Sequence, residues 1–140
     1  MRAGHALNRA SGCFVNLSNH SVTTWSSEQL AAAKSLALGD PTDLVGAMPL
    51  VPSDADERAV ADLAASIADR ALAMGALGAM VSTEFTLTVA LVDALQARGV
   101  RCFAATTERR AREVVRDGHT VKESVFAFVR WREFRPSTPI

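Results

Sequence analysis

Gly78-Ala79-Met80-Val81-Ser82-Thr83-Glu84-Phe85-Thr86-Leu87-Thr88-Val89-Ala90-Leu91-Val92-Asp93-Ala94-Leu95-Gln96-Ala97-Arg98-Gly99-Val100-Arg101-Cys102-Phe103-Ala104-Ala105 is the stretch on which the fold turns. Residues 78–82 form a short apolar run of strand length. Thr83-Glu84 open a helix that presents Phe85, Val89, Val92 and Leu95 on one side, and Ala97-Arg98-Gly99 close it. Val100 to Ala105 is a second apolar run. Two parallel strands need a crossover of about a dozen residues or more, so strand, helix and strand at this spacing predict a parallel pair.

The same alternation extends towards the N-terminus. Gly12-Cys13-Phe14-Val15-Asn16-Leu17 reads as a first strand feeding the polar loop Ser18-Asn19-His20-Ser21. Ser26 with Gln29 three positions on has the form of a capping box, with Leu30, Ala33 and Ala37 as the inward stripe. Gly39-Asp40-Pro41 stops that helix. Thr42 to Ala47 predicts a second strand, and Pro49 to Pro52 a loop. A long helix follows from Ser53 to about Met74, with Ala59, Val60, Leu63, Ala64, Ile67, Ala71 and Met74 inward. Its acidic opening, Asp54 to Glu57, suits the positive end of the helix dipole.

Towards the C-terminus, the fourth apolar run enters the polar cluster Thr106-Thr107-Glu108-Arg109-Arg110, read as a loop in which Thr107-Glu108 also suit a helix cap. The period then changes. Asp117-Gly118 is a strong short-range hairpin signal. The returning segment, Ser124 to Phe134, is a long strand with Phe126, Phe128 and Arg130 on one face and Val125, Val129 and Trp131 on the other. Four strand–helix units and a hairpin predict a three-layer α/β sandwich with a mostly parallel sheet and a C-terminal β-hairpin. Residues 12–135 form its single domain, 1–11 a flexible leader and 136–140 a flexible tail.

Composition bounds the function. The chain has 140 residues, 49% hydrophobic and 21% charged, with 15 basic side chains against 15 acidic ones. That excludes wholesale disorder and a polybasic partner for duplex nucleic acid or anionic membranes. Neutrality hides an asymmetry, because 9 of the 15 basic residues fall after residue 100. Cys13 and Cys102 sit in apolar runs with no metal-ligand spacing, which points to buried free thiols in a reducing, cytoplasmic compartment. No signal-peptide core or spanning segment is present. No HExxH, HxH or acidic cluster marks a metal site, and no glycine-rich phosphate loop or G-x-S-x-G elbow appears.

Parallel sheets bind ligands beyond the carboxyl ends of their strands. The first end supplies Asn16, Ser18, Asn19 and His20; the third supplies Thr83, Glu84 and Thr86; the fourth supplies Thr106, Thr107, Glu108, Arg109 and Arg110. Hydroxyls, amides and helix N-terminal N–H groups make an anion cradle, and arginines add bidentate phosphate donors. The combination matches a phosphodiester or nucleotide. Each residue also has a plainer use: Thr83 as a cap, the arginines as a solvated face, Asn16 as a turn closer, His20 as a surface residue or an acid–base group. Glu84 at the ligand entrance suits ribose hydroxyls, orientation of a nucleophile, or pairing with Arg109.

Together, FVNLSNH (14–20), WSSEQ (25–29), STEFTLTVALVDAL (82–95), ATTER (105–109) and FVRWREF (128–134) resemble a family of small CRISPR-associated proteins of type III systems. That family is similar to the CARF domain, the Rossmann-like sensor of cyclic oligoadenylate messengers, and several members are ring nucleases that end the antiviral signal. The resemblance implies a Rossmann-like, CARF-like sandwich that binds cyclic tetra- or hexa-adenylate across a homodimer. It also implies cleavage without metal or cofactor, by attack of a ribose 2′-hydroxyl on the adjacent phosphorus, with a sensor that binds the ring uncut and a protein-interaction module in which the arginines dock a partner as the alternatives. Carried onto this chain, it makes Thr107 and Arg109 phosphate ligands, with Ser18 or Asn16 positioning the ribose and His20 the acid–base residue. Arg130 would reach the cleft or a dimer partner. Where the family often carries glycine, Thr83 narrows backbone access to the ligand.

Overall fold

The computed structural model describes residues 12–136. The leader read over 1–11, and all but the first residue of the tail read over 136–140, lie outside the described residues. The chain forms β1 (Cys13–Ser18), α1 (Ser27–Ser35), β2 (Asp40–Asp43), α2 (Glu57–Ala73), β3 (Ala76–Ser82), α3 (Phe85–Ala97), β4 (Arg101–Arg116) and β5 (His119–Glu133). A single 3-10 turn, Val22–Thr24, precedes α1. The strands make one sheet in the order β2-β1-β3-β4-β5, with the first four parallel and β5 antiparallel to β4.

The apolar residues explain the layers. Val15, Leu17, Ala79, Val81 and Cys102 point to the side covered by α2 and α3. Phe14, Met80, Phe103 and Trp131 point to the other side, where they meet Trp25 and Ala33. The chain moves from β1 outward to β2, then reverses past β1 to β3 and β4. A constant crossover hand then requires α1 on one face and α2 with α3 on the other, as observed. The α1 face is an aromatic core: Phe14 lies edge-on to Trp131, with ring centroids 5.2 Å apart, and Trp25 lies 5.4 Å from Trp131.

Several readings from sequence shift. The inward stripe of α3 is Leu87, Leu91 and Leu95, while Phe85 and Val89 face outward. The stripe i, i+4, i+8 starting at Leu87 competes with the one starting at Phe85, and sequence periodicity alone cannot rank two apolar faces. In α2, Ala68 is buried and Ala59 is exposed. The first helix ends at Ser35, and Ala37 adopts a left-handed φ of 59°, so Leu36 and Leu38 pack in its place. The second strand is Asp40–Asp43, earlier than Thr42 to Ala47. Pro41 fits there because β2 is an edge strand, where a missing N–H costs nothing.

The fourth unit has no helix. Thr106 to Arg110 continue β4 without a loop, and Thr107-Glu108 cap nothing. Strand β4 instead runs on to the Asp117-Gly118 turn, where both residues have positive φ, 51° and 76°, as a two-residue hairpin demands. An extra residue on β5 shifts the register between the pairs Thr106–Arg130 and Thr107–Phe128. This bulge places Phe128 beside Trp131, 5.3 Å between rings, although simple alternation assigns them to opposite faces. The Thr106 hydroxyl repairs the interrupted ladder: it donates to the Arg130 carbonyl at 3.0 Å and accepts from the Arg130 N–H at 3.2 Å.

Candidate functional site

Register fixes which residues share the carboxyl edge. Ser18 pairs with Ser82, and Met80 with Phe103, so the ends of β1 and β3 stand level with Ala105 and Thr106 of β4. Thr106 in turn faces Arg130. The structure therefore brings Ser18, Asn19, Thr83, Thr106, Thr107 and Arg130 along one rim. Beyond it the β4–β5 ribbon projects for ten further residue pairs, roughly 30 Å, and carries Glu108, Arg109 and Arg110 above the edge.

At the β1 end the polar residues hold each other. Asn16 is 2% exposed. Its amide donates to the His20 carbonyl at 2.7 Å and to Asp43 Oδ1 at 2.9 Å. The Ser18 hydroxyl donates to Asn16 Oδ1 at 2.7 Å, and its oxygen accepts from the His20 N–H at 3.2 Å. Asp43 also accepts from the Ser21 hydroxyl at 2.8 Å and the Val22 N–H at 2.9 Å. Burial opposes ionisation of Asp43, but the bonds from Asn16, Val22 and Ser21 outweigh it and hold the carboxyl below its usual range. The His20 ring is exposed, and only its backbone serves the network. A cleft of about 410 Å³ opens here, lined by Asn16, Ser18, Asn19, Ser21, Asp43 and the 44–48 turn. Arg70 of α2 fixes the far wall by donating to the carbonyls of Val45 and Ala47 at 2.6 and 3.0 Å.

Asp43 is the residue that sequence reasoning missed. It lies at the end of β2, four residues before the predicted strand end, and its partners are more than twenty residues away in the chain. No local pattern marks it.

At the β3 end, Glu84 is the N-cap of α3. Its carboxylate accepts from the Leu87 N–H at 2.9 Å and from the Thr86 hydroxyl, which lowers its pKa. The Thr83 N–H donates to the Thr88 hydroxyl at 3.2 Å. Both bonds fall on one carboxylate oxygen of Glu84, and Thr86 is committed to the cap.

On the ribbon, charges pair along one face: Arg110 with Glu108, and Arg112 and Arg116 with Glu123. Arg109 differs. Among the described residues it makes no ion pair, and its guanidinium sits 5.3 Å over the Phe126 ring. A second cleft, about 460 Å³, lies between the start of α1 and the ribbon base, lined by Ser26, Glu28, Thr107, Arg110, Phe126 and Phe128. The edge thus carries the Asp43 carboxylate at the β2 end and, on the β4–β5 ribbon, Arg109 without an ion pair among the described residues beside arginines paired with Glu108 and Glu123. Phosphate suits the second end, while donor groups of a sugar or base suit the first.

The two thiols are buried, and burial pushes Cys102 up to about 12. Strand β3 separates their strands by two sheet spacings, about 9.6 Å, beyond the reach of a disulfide. Among the described residues, no group of three or more His, Cys, Asp or Glu stands close enough to hold a metal ion, and no helix is long and apolar enough to cross a membrane.

A family model described as the uncharacterized protein MJ1673 family matches residues 12–132, and the chain belongs to that family. No curated protein and no solved structure matches the chain.

Proposed function

We propose that this MJ1673-family protein binds a cyclic oligoadenylate along the carboxyl edge of a Rossmann-like, CARF-like sheet and opens the ring as a cytoplasmic component of type III CRISPR defence. The observation that carries this reading is the make-up of the edge: hydroxyls and amides of β1 and β3 level with the base of an arginine-bearing ribbon. A ring of phosphates, riboses and adenines offers both kinds of group at regular intervals. Arg109 and Thr107 hold a phosphate; Asn19 and Asp43 take sugar or base donors. A ribose 2′-hydroxyl gives up its proton to solvent and attacks the adjacent phosphorus, the P–O5′ bond breaks, and the departing 5′-oxygen takes up a proton from solvent through His20. The products end in a 2′,3′-cyclic phosphate and a 5′-hydroxyl.

A second reading, a messenger-binding protein that does not cut, is favoured by one observation. The Ser18 hydroxyl and one carboxylate oxygen of Glu84 are already committed to structural bonds. Incubation of the pure chain with cyclic tetra- and hexa-adenylate, with and without chelator, separates the readings. Linear products in both arms support cleavage, and tight retention of intact rings selects the sensor. Intact, unbound rings at high protein excess reject both. In the cleaving case, His20→Ala lowers turnover at least tenfold while ring affinity stays within about twofold.

A further inference from the structure

We infer that the cleft between the start of α1 and the base of the β4–β5 ribbon is an adenine subsite, with Phe126 as its stacking platform and Gln29 as the reader of the base edge. The inference rests on the nucleotide-binding reading and deepens it, since Phe126 and Gln29 stand outside the phosphate and ribose groups assigned there.

Register sets the platform. Arg109 and Phe126 are cross-strand partners, and the Arg109 guanidinium lies over the Phe126 ring at 5.3 Å from its centroid. That contact orients the ring and occupies one of its faces. The ring is nonetheless 68% exposed, and it borders a cleft of about 460 Å³. Phe128 lines the same cleft and is anchored against Trp131, 5.3 Å between ring centroids. An exposed ring steadied by a cation offers its remaining surface to a flat partner. Every nucleobase has such a face, so stacking accounts for a base without choosing among bases.

The choice comes from the opposite wall. Ser26 caps α1, its hydroxyl accepting from the Gln29 N–H at 3.1 Å. In a reciprocal capping box the Gln29 side chain would return to the Ser26 N–H. Among the described residues that return bond is not made, and the Gln29 amide makes no other. Gln29 is half-buried on the cleft wall, so its carboxamide is held there with donor and acceptor unspent. Adenine presents the matching pair, an N6 donor beside the N7 acceptor, whereas guanine presents two acceptors, O6 and N7. Glu28 and Arg110, of opposite charge, line the cleft together, so it suits an uncharged base better than a phosphate. The phosphate falls to Arg109, on the far side of the Phe126 ring.

Calorimetric titration of the full chain with adenosine and guanosine 5′-monophosphates tests the subsite. Wild type is expected to bind the adenine nucleotide about tenfold more tightly than the guanine one. Phe126→Leu keeps an apolar side chain without a π-face and is expected to weaken both nucleotides about tenfold. Gln29→Ala is expected to bring the two affinities within about twofold of each other, a change that loss of a purely structural contact does not produce. It also keeps the test decisive if Phe126→Leu does not fold. Equal affinities in wild type, failure of the adenine nucleotide to saturate the chain, or an unchanged preference in Gln29→Ala overturns the inference. So does a folded Phe126→Leu that binds as wild type does. Cyclic tetra-adenylate is titrated alongside. The expected nucleotide pattern without ring binding refutes the ring reading alone, and ring binding unaltered in both variants refutes the subsite alone.

Discussion

Asn16 shows how a single side chain converts a strand end into a rigid rim. Both of its amide hydrogens and its oxygen are used, by His20, Asp43 and Ser18, in a position closed to water. Asn16→Ala strands a buried hydroxyl and frees the loop, and is expected to lower stability by about 2–3 kcal/mol in urea unfolding. Asp43 adds a pH signature. Its folded pKa is depressed below the roughly 3.9 of an unfolded aspartate, so its stabilisation is fully present above that value and is lost as pH falls through the folded pKa. Asp43→Asn is expected to be less stable than wild type at pH 6, and the gap is expected to narrow below about pH 4. A gap that widens on acidification contradicts this sign. The types and loop position of Asn16, Ser18 and His20 were legible as polar groups at a strand end. Their division of labour was not, because it depends on Asp43, brought in by strand pairing between β1 and β2.

Among the elements, α3 separates two demands that one sequence pattern merges. Leu91→Ala empties a core position and is expected to cost about 2–5 kcal/mol. Phe85→Ala removes an exposed ring and is expected to change chain stability by less than about 0.5 kcal/mol. Equal losses at both positions contradict the assigned faces. The helix itself was legible from its caps and length, and so was the hairpin, since Asp117-Gly118 matches a turn needing two positive φ values. Gly118→Ala is therefore expected to destabilise by about 1 kcal/mol, despite open space around a Cβ. What sequence patterns could not reveal was continuity. Thr106 to Arg110 have loop-like composition, yet β5 supplies hydrogen bonds along their whole length, and tertiary pairing overrides local preference. The bulge that unites Phe128 with Trp131 likewise depends on register, with Thr106 absorbing its cost.

For the whole molecule, the consequence of that continuity is a ribbon that carries arginines above the sheet edge instead of a loop that folds over it. Neutral net charge then hides a separation along one surface, from the Asp43 carboxylate to Arg109. The grouping of arginine after residue 100 was visible in the sequence; its height above the β1 and β3 ends required the register. The most direct measurement is equilibrium binding of cyclic tetra- and hexa-adenylate to the wild-type chain and to Arg109→Ala. Wild type is expected to bind a ring saturably, and Arg109→Ala about 30-fold more weakly, by loss of roughly 2 kcal/mol of charge-assisted bonding. Absence of binding to either ring, or equal affinity of the two proteins, contradicts the proposed site.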